Sequence, residues 1–353
     1  MNDIIKRFQK LDLTKYPEHE IKDLISEIGV IPVMRSEYHD GKIIYRARAN
    51  NNENDDFTNV SDLSFKPQKF NKTYQRASTP NKTMFYGALI PEEKGEDIID
   101  DERIIGAFEV VDFLRKPSIE KGEQVITYGV WRVNSTISTY SVIHPKIDKL
   151  KVQWLKKIAT NFYNELEKCP QFKDKTLIVQ EYLAKEFSKH VCEGKDYDYM
   201  ISGLFSNKVC ELGVDGILYP SVKMQGTGLN IALTPECVNQ KLTLEAAIKC
   251  KVYKKCKKVI VNNLKRGTVN PDGLTISWEE IPLGRYRTTE EQIRKMLAKV
   301  VCKKNSDTKQ SKSKNANKLF PRKKKLRKGK GLKIANKKRK RRAKKKREKR
   351  KKR

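Results

Sequence analysis

The sequence predicts an α+β fold, built of mixed antiparallel sheets with an inserted helical block and followed by a basic tail. Three observations predict it. Strand-like runs fill much of the first third and return near residue 215, the apolar period turns helical between about 147 and 212, and apolar residues thin out from residue 303 on. The expected division is an N-terminal helical segment at 1–40, a main domain at 41–300 and a polybasic tail at 303–353, disordered for want of a core.

The elements follow in order. In "EHEIKDLISEIG", Ile21, Leu24, Ile25 and Ile28 recur at helical spacing and Gly29 supplies a stop. "KIIYRAR" (42–48) reads as a buried strand entering the polar loop "NNNENDD", and "TMFYGAL" as a second strand. The acidic, poorly patterned 91–102 reads as a loop or insertion. From Arg103 to Ser141 the β-branched content rises, and "VITYGVWRVNST" suggests antiparallel strands. Leu150, Trp154, Ile158 and Phe162 then step by four along one helical face, with Pro170 as the expected end. Helices are expected near 174–191 and 197–212, with Gly213 as a stop. "VDGILYPSV" and "NIALTP" read as strands around the glycine turn "QGTGLN". The stretch from Leu242 to Val261 is ambiguous between helix and strand, "GLTISWEEIP" reads as a late strand, and "TTEEQIRKMLAKVV" as a threonine-capped helix.

Charge separates the tail from the rest. Of a net +33, residues 303–353 carry +27, with 29 Lys and Arg against 2 Asp and Glu; the first 302 residues carry only +6. A segment of that kind suits RNA or DNA without sequence preference, because neutralising phosphates releases counterions. "PRKKKLRK" and "KKRKRR" would serve as nuclear import signals in a eukaryote. The charged opening "MNDIIKRFQKLDLTK" is no signal peptide, and no apolar run approaches the ~18 residues of a membrane span. Seven scattered cysteines without a CxxC pair argue against a zinc site or a disulfide framework, and place the chain in a reducing cytoplasm.

Three short stretches carry candidate chemistry. In "RASTPNKTMFYG" (76–87), Arg76 offers a guanidinium suited to two-pronged phosphate binding, and Tyr86 an aromatic ring leaving a strand. The plain alternative is a surface arginine and a core tyrosine. In "GAFEVVDF", Glu109 stands among apolar residues, where a carboxylate is costly unless paired or used. In "DGILYPSVKMQGTGLNIAL", Ser221 follows a strand and Asn230 follows two glycines; no GxSxG elbow is present.

Taken together with "YRAR" (Tyr45, Arg46), these stretches resemble in wording and order the RES domain, named for its arginine, glutamate and serine, over roughly residues 40–260. The resemblance implies a fold similar to ADP-ribosyltransferases and an activity that consumes NAD+, by hydrolysis or phosphorolysis of the nicotinamide N-glycosidic bond. It also implies a growth-inhibiting toxin neutralised by an antitoxin protein. Glu109 would stabilise the oxocarbenium-like ribose, and Arg76 would bind the pyrophosphate. Tyr45 and Tyr86 would flank the nicotinamide half, Ser221 would orient phosphate or substrate, and Arg46 and Asn230 complete the binding set; no metal is required. From Tyr86 to Glu109 the interval is 23 residues, longer than usual for the family, so Glu96 and Glu102 remain alternative carboxylates and Asp97 falls nearer the usual spacing. Two other readings stand beside this one. One is a non-enzymatic nucleic-acid- or ribosome-associated protein with a basic arm; the other is an ADP-ribosyltransferase acting on a macromolecule.

Overall fold

A ten-stranded, mostly antiparallel sheet organises the protein in a computed structural model, which describes residues 1–89, 102–116, 118–222, 228–284 and 286–300. Glu96, Asp97, the 223–227 part of the glycine turn and the whole basic tail lie outside the described residues, as does the side chain of Glu102. The strands are β1 (Arg35–Tyr38), β2 (Ile43–Ala49), β3 (Phe85–Leu89), β4 (Lys121–Val133), β5 (Ile137–Ser141), β6 (Gly216–Pro220), β7 (Leu229–Leu233), β8 (Leu242–Lys255), β9 (Lys258–Val269) and β10 (Ile276–Glu280). Their order is β1-β5-β6-β7-β3-β2-β4-β8-β9-β10, and only β5 and β6 run parallel.

One long ribbon explains how the sheet curls. Ile43 pairs with Arg132 and Tyr38 with Ile137, five residues back on one strand and five on along the other. β1 with β2 and β5 with β4 are therefore two halves of a single antiparallel pair that keeps its register through a bend. Beyond the bend β5 joins β6, while before it β2 meets β3, so the intervening strands wrap around a shared core. That core holds Met34, Ile44, Phe85, Trp131, Ile231 and Leu233, all at most 4% exposed.

The other face carries helices in two groups. α1 (Asn2–Lys10), α2 (Glu18–Ile28), α6 (Pro170–Phe187) and α7 (Met200–Glu211) bury Phe8, Ile21, Val179 and Leu204 against Tyr140 and Ile217. α3 (Glu102–Val110) and α4 (Asp112–Arg115) cover β2, β4 and β8 through Ala107, Val111 and Tyr128. α5 (Gln153–Glu167) packs on the inner core, α8 (Pro235–Lys241) precedes β8, and α9 (Glu290–Ala298) opens with a Thr289–Gln292 capping box. Met1–Lys303 forms one unit, of which the N-terminal helices are part.

Several expectations hold, among them the α2 face, with its stop at Gly29 (φ +62°), and the helices ending before Gly213. Others need correction. α5 does end ahead of Pro170, at Glu167, but the next helix starts earlier than the expected 174, because Pro170 itself opens α6 at its first position, where its missing N–H costs nothing. Of the expected stripe, Leu150 lies ahead of α5 and is buried, Trp154, Ile158 and Phe162 form the half-buried flank of the helix, and its buried line is Leu155, Ala159 and Leu166. Residues 102–110 form a helix ahead of the expected strands. Cys256, at the β8–β9 turn, is disulfide-bonded, a bond the sequence did not lead one to expect, while Cys169, Cys192, Cys210 and Cys237 are free.

The ambiguous 242–261 is a hairpin whose alternation is broken by buried lysines. Lys249, 2% exposed in its side chain, binds Asp56 Oδ1 at 2.7 Å, and Lys251 meets Glu53, Glu123 and Glu290. The polar "NNNENDD" loop thus neutralises charges that the sheet buries. Burial tends to raise the Asp56 carboxyl, but Lys249 and Lys265 more than offset this and hold it below its ordinary 3.8. The resulting stability is complete above that range and is lost as pH falls through the lowered value. Asp56→Asn, which leaves Lys249 buried without its counter-charge, is expected to cost about 3 kcal/mol in denaturant unfolding at neutral pH, with the difference from wild type shrinking in acid.

Candidate active site

The site is built on one row of the sheet. Tyr219 lies opposite Asn230, Asn230 opposite Ala88, and Ala88 opposite Tyr45, so four strands present these residues on the same face. This is the helix-bearing face, at the gap between the two helical groups. Here β2 and β3 share one registered pair, Tyr45 with Ala88, and then part. Arg46 fills the split: its Nη1 donates to the Tyr86 carbonyl at 2.8 Å and its guanidinium lies 5.1 Å from the Phe85 ring centre. Burial pulls Arg46 down to about 10, which leaves it cationic at neutral pH, and its Nε is buried without a hydrogen-bond partner among the described residues.

α3 brings the carboxylate. Gly106 lets this helix lie close on β2 and β4, since a Cβ there would sit 3.1 Å from both Ala47 and Tyr128. One turn on, Glu109 Oε1 accepts from Ser221 Oγ at 2.8 Å and from Asn230 Nδ2 at 2.9 Å. Ser221 has no exposed surface and stands two residues beyond Tyr219, at the end of β6. Two donors on one oxygen fix the orientation of the carboxylate. Arg115 Nη1 donates to the Glu109 carbonyl at 2.7 Å, and burial lowers the Arg115 guanidinium while Glu109 opposes that shift.

The loop from Arg76 to Tyr86 is neither a free surface loop nor a bare phosphate cradle. Gln75 and Ser78 exchange backbone hydrogen bonds, as do Thr79 and Lys82, and Asn81 takes a left-handed φ of +61°. α7 lies directly on these turns because Gly203 has no Cβ; one would meet Ser78 O at 2.8 Å. Arg76 donates to the Phe187 carbonyl and, at 3.1 Å, to that of Lys189, and its guanidinium lies 5.1 Å from the Tyr199 ring centre. The Tyr86 hydroxyl accepts from the Ala77 amide at 3.1 Å and shares a 2.8 Å bond with Ser78 Oγ. Burial pushes the Tyr86 phenol up to about 12, so it keeps its proton near neutrality.

A cavity of about 450 Å³ is lined by Tyr45, Arg46, Arg76, Tyr86, Glu109 and Asn230, together with Gln75, Tyr199 and Tyr219. A larger cleft of about 1420 Å³ adjoins it, sharing Arg46, Gln75, Tyr86 and Glu109 and reaching Arg115. All seven residues singled out from sequence thus gather around one place, spread though they are from 45 to 230. Three are placed differently from the roles first expected. Ser221 is held behind Glu109 and does not line the cavity, the Tyr86 hydroxyl ties β3 to the Arg76 loop, and Arg76 commits two of its donors to backbone carbonyls.

Sequence reasoning missed Tyr199, Tyr219, Gln75 and Arg115. Tyr219 had a usable signal, because it shares strand parity with Ser221 in "LYPS"; Tyr199 arrives from a distant helix start and had none. Burial drives the Tyr219 phenol well above its usual range. Among the described residues no group of three or more His, Cys, Asp or Glu side chains gathers as a metal site, and no helix is long and apolar enough to cross a membrane. No family model matches the chain, and no curated protein matches it.

Proposed function

We propose that the protein cleaves NAD+ at the bond between nicotinamide and ribose, as a RES-type enzyme on an ADP-ribosyltransferase-like scaffold. The observation that carries this reading is Glu109, held by Ser221 and Asn230 at the wall of a cavity that Arg46 and Arg76 also line, with Arg115 lining the adjoining cleft. Breaking the glycosidic bond leaves positive charge on the ribose, which a fixed carboxylate stabilises more in the transition state than in the ground state. Three guanidiniums against one such carboxylate suit a pyrophosphate, and Tyr45, Tyr199 and Tyr219 offer rings for a flat heterocycle. The size supports it too, with the smaller cavity for the nicotinamide riboside end and the adjoining cleft for the adenosine end. The mostly antiparallel sheet, parted between β2 and β3 at the cleft, supports the scaffold assignment.

Full-length protein incubated with NAD+ is expected to release nicotinamide. ADP-ribose as the other product means hydrolysis, a phosphorylated ADP-ribose formed only with inorganic phosphate means phosphorolysis, and label on protein or nucleic acid means transfer. Unchanged NAD+ in every arm would overturn the proposal and favour a non-enzymatic protein with a basic arm. In a cell the activity drains NAD+, so growth arrest on expression and a neutralising protein partner belong to the same reading.

Ser221 and Asn230 act through Glu109. Ser221→Ala is expected to lower kcat by about ten- to a hundred-fold, the worth of a hydrogen bond to a charged group, with KM little changed. A rise in KM alone would return Ser221 to the substrate-binding role first expected of it.

A further inference from the structure

The free edge at one end of the sheet is β1. In its ladder with β5, the Ser141 amide donates to the Met34 carbonyl at 2.7 Å, and Ser36 stands opposite Thr139. Antiparallel partners alternate between bonded and non-bonded pairs, so Met34, Ser36 and Tyr38 turn their backbone groups toward β5. Arg35 and Glu37 turn theirs outward, and both side chains are exposed. Arg35 reaches Ser138 Oγ, whereas Glu37 has no hydrogen-bond or ion-pair partner among the described residues. Beside this edge runs a groove of about 790 Å³, walled by Trp154, Ile158 and Phe162, the half-buried stripe of α5, with Val33 44% exposed at its rim.

We infer that this edge pairs with the same edge of a second copy, as an antiparallel β1–β1 ribbon about a two-fold axis through Ser36. In that register Arg35 of each copy lies opposite Glu37 of the other. These are also the residues whose amides and carbonyls point outward, so charge and backbone parity agree on one alignment. A two-fold axis normal to the sheet keeps both α5 helices on one face, where their apolar stripes meet above the ribbon. Edge strands that only ward off partners carry like charges, lysine above all, which repel a copy of themselves. Here the opposite charges are symmetric about Ser36 and attract it. The contact lies on β1 and α5, which supply no residue of the candidate active site, so the inference stands apart from the function proposed above.

The test is the mass of the nuclease-treated full chain in solution, by light scattering across a dilution series. The wild type is expected at twice the 41.0 kDa of one chain. Glu37→Arg, which breaks no contact within the described chain, and Arg35→Glu are each expected to weaken dimerisation at least tenfold. The exchange Arg35→Glu with Glu37→Arg restores the alternation and is expected to restore the dimer. Thermal melting of each variant separates loss of pairing from loss of fold. A monomeric wild type overturns the inference, as do folded single variants that stay fully dimeric, or an exchanged variant as monomeric as the single ones.

Discussion

Glu109→Gln is expected to reduce NAD+ cleavage by roughly 10²–10³-fold or more, as when one preorganised electrostatic group is removed from a water-poor site. The substitution keeps the length of the side chain and an oxygen for Ser221 and Asn230 to donate to, so the cavity should persist. What it removes is the negative charge facing the ribose, and the loss should fall on kcat rather than on KM. Product release measured under saturating NAD+, with a melting curve on the same sample, checks both parts. A fully active Glu109→Gln beside an inactive Glu96→Gln or Glu102→Gln would move the carboxylate role into the acidic stretch and leave the NAD+ reading intact. Loss in none of the three would remove the glutamate chemistry altogether.

Removal of residues 303–353 is expected to abolish binding to RNA and DNA while sparing NAD+ turnover. The warrant is the charge partition, +27 in that segment against +6 in the other 302 residues, together with a candidate site assembled entirely before residue 231. Engaging six to ten phosphates, the intact chain should lose roughly 10³–10⁵ in affinity between about 50 and 200 mM salt. Little preference among sequences is expected, since Phe320 is the only aromatic residue in the segment and base stacking needs more. Equal affinity in the truncated and full chains would place the nucleic-acid surface elsewhere. A folded truncation unable to cleave NAD+ would make the basic segment part of the enzyme.

How much of the molecule was legible depended on how local the cause was. Ile21, Leu24, Ile25 and Ile28 repeat at helical spacing because one face is buried, and Gly29 stops the helix by its own φ. Thr289 and Gln292 cap α9 within four residues of chain. β8 was not legible, because Lys249, Lys251 and Lys254 are buried beside partners as far away as Asp56 and Glu290, and a buried lysine breaks the pattern that marks a strand. Pro170 was legible only in part: α5 ends before it as expected, but proline is also tolerated at the first turn of a helix, and there it opens α6.

The same division holds at the site. The sequence by itself determined which groups are available, an arginine, a glutamate, a serine and an asparagine in a particular order, because these are properties of single residues and their neighbours. Only the tertiary structure decided what each group touches. It turned Ser221 and Asn230 onto one oxygen of Glu109, spent two donors of Arg76 on the carbonyls of Phe187 and Lys189, and brought Tyr199 beneath that arginine. Such contacts join positions over a hundred residues apart, and they follow from strand register and helix approach. Register is settled by the whole sheet, where slipping one residue would send Tyr219, Asn230 and Tyr45 to the opposite face.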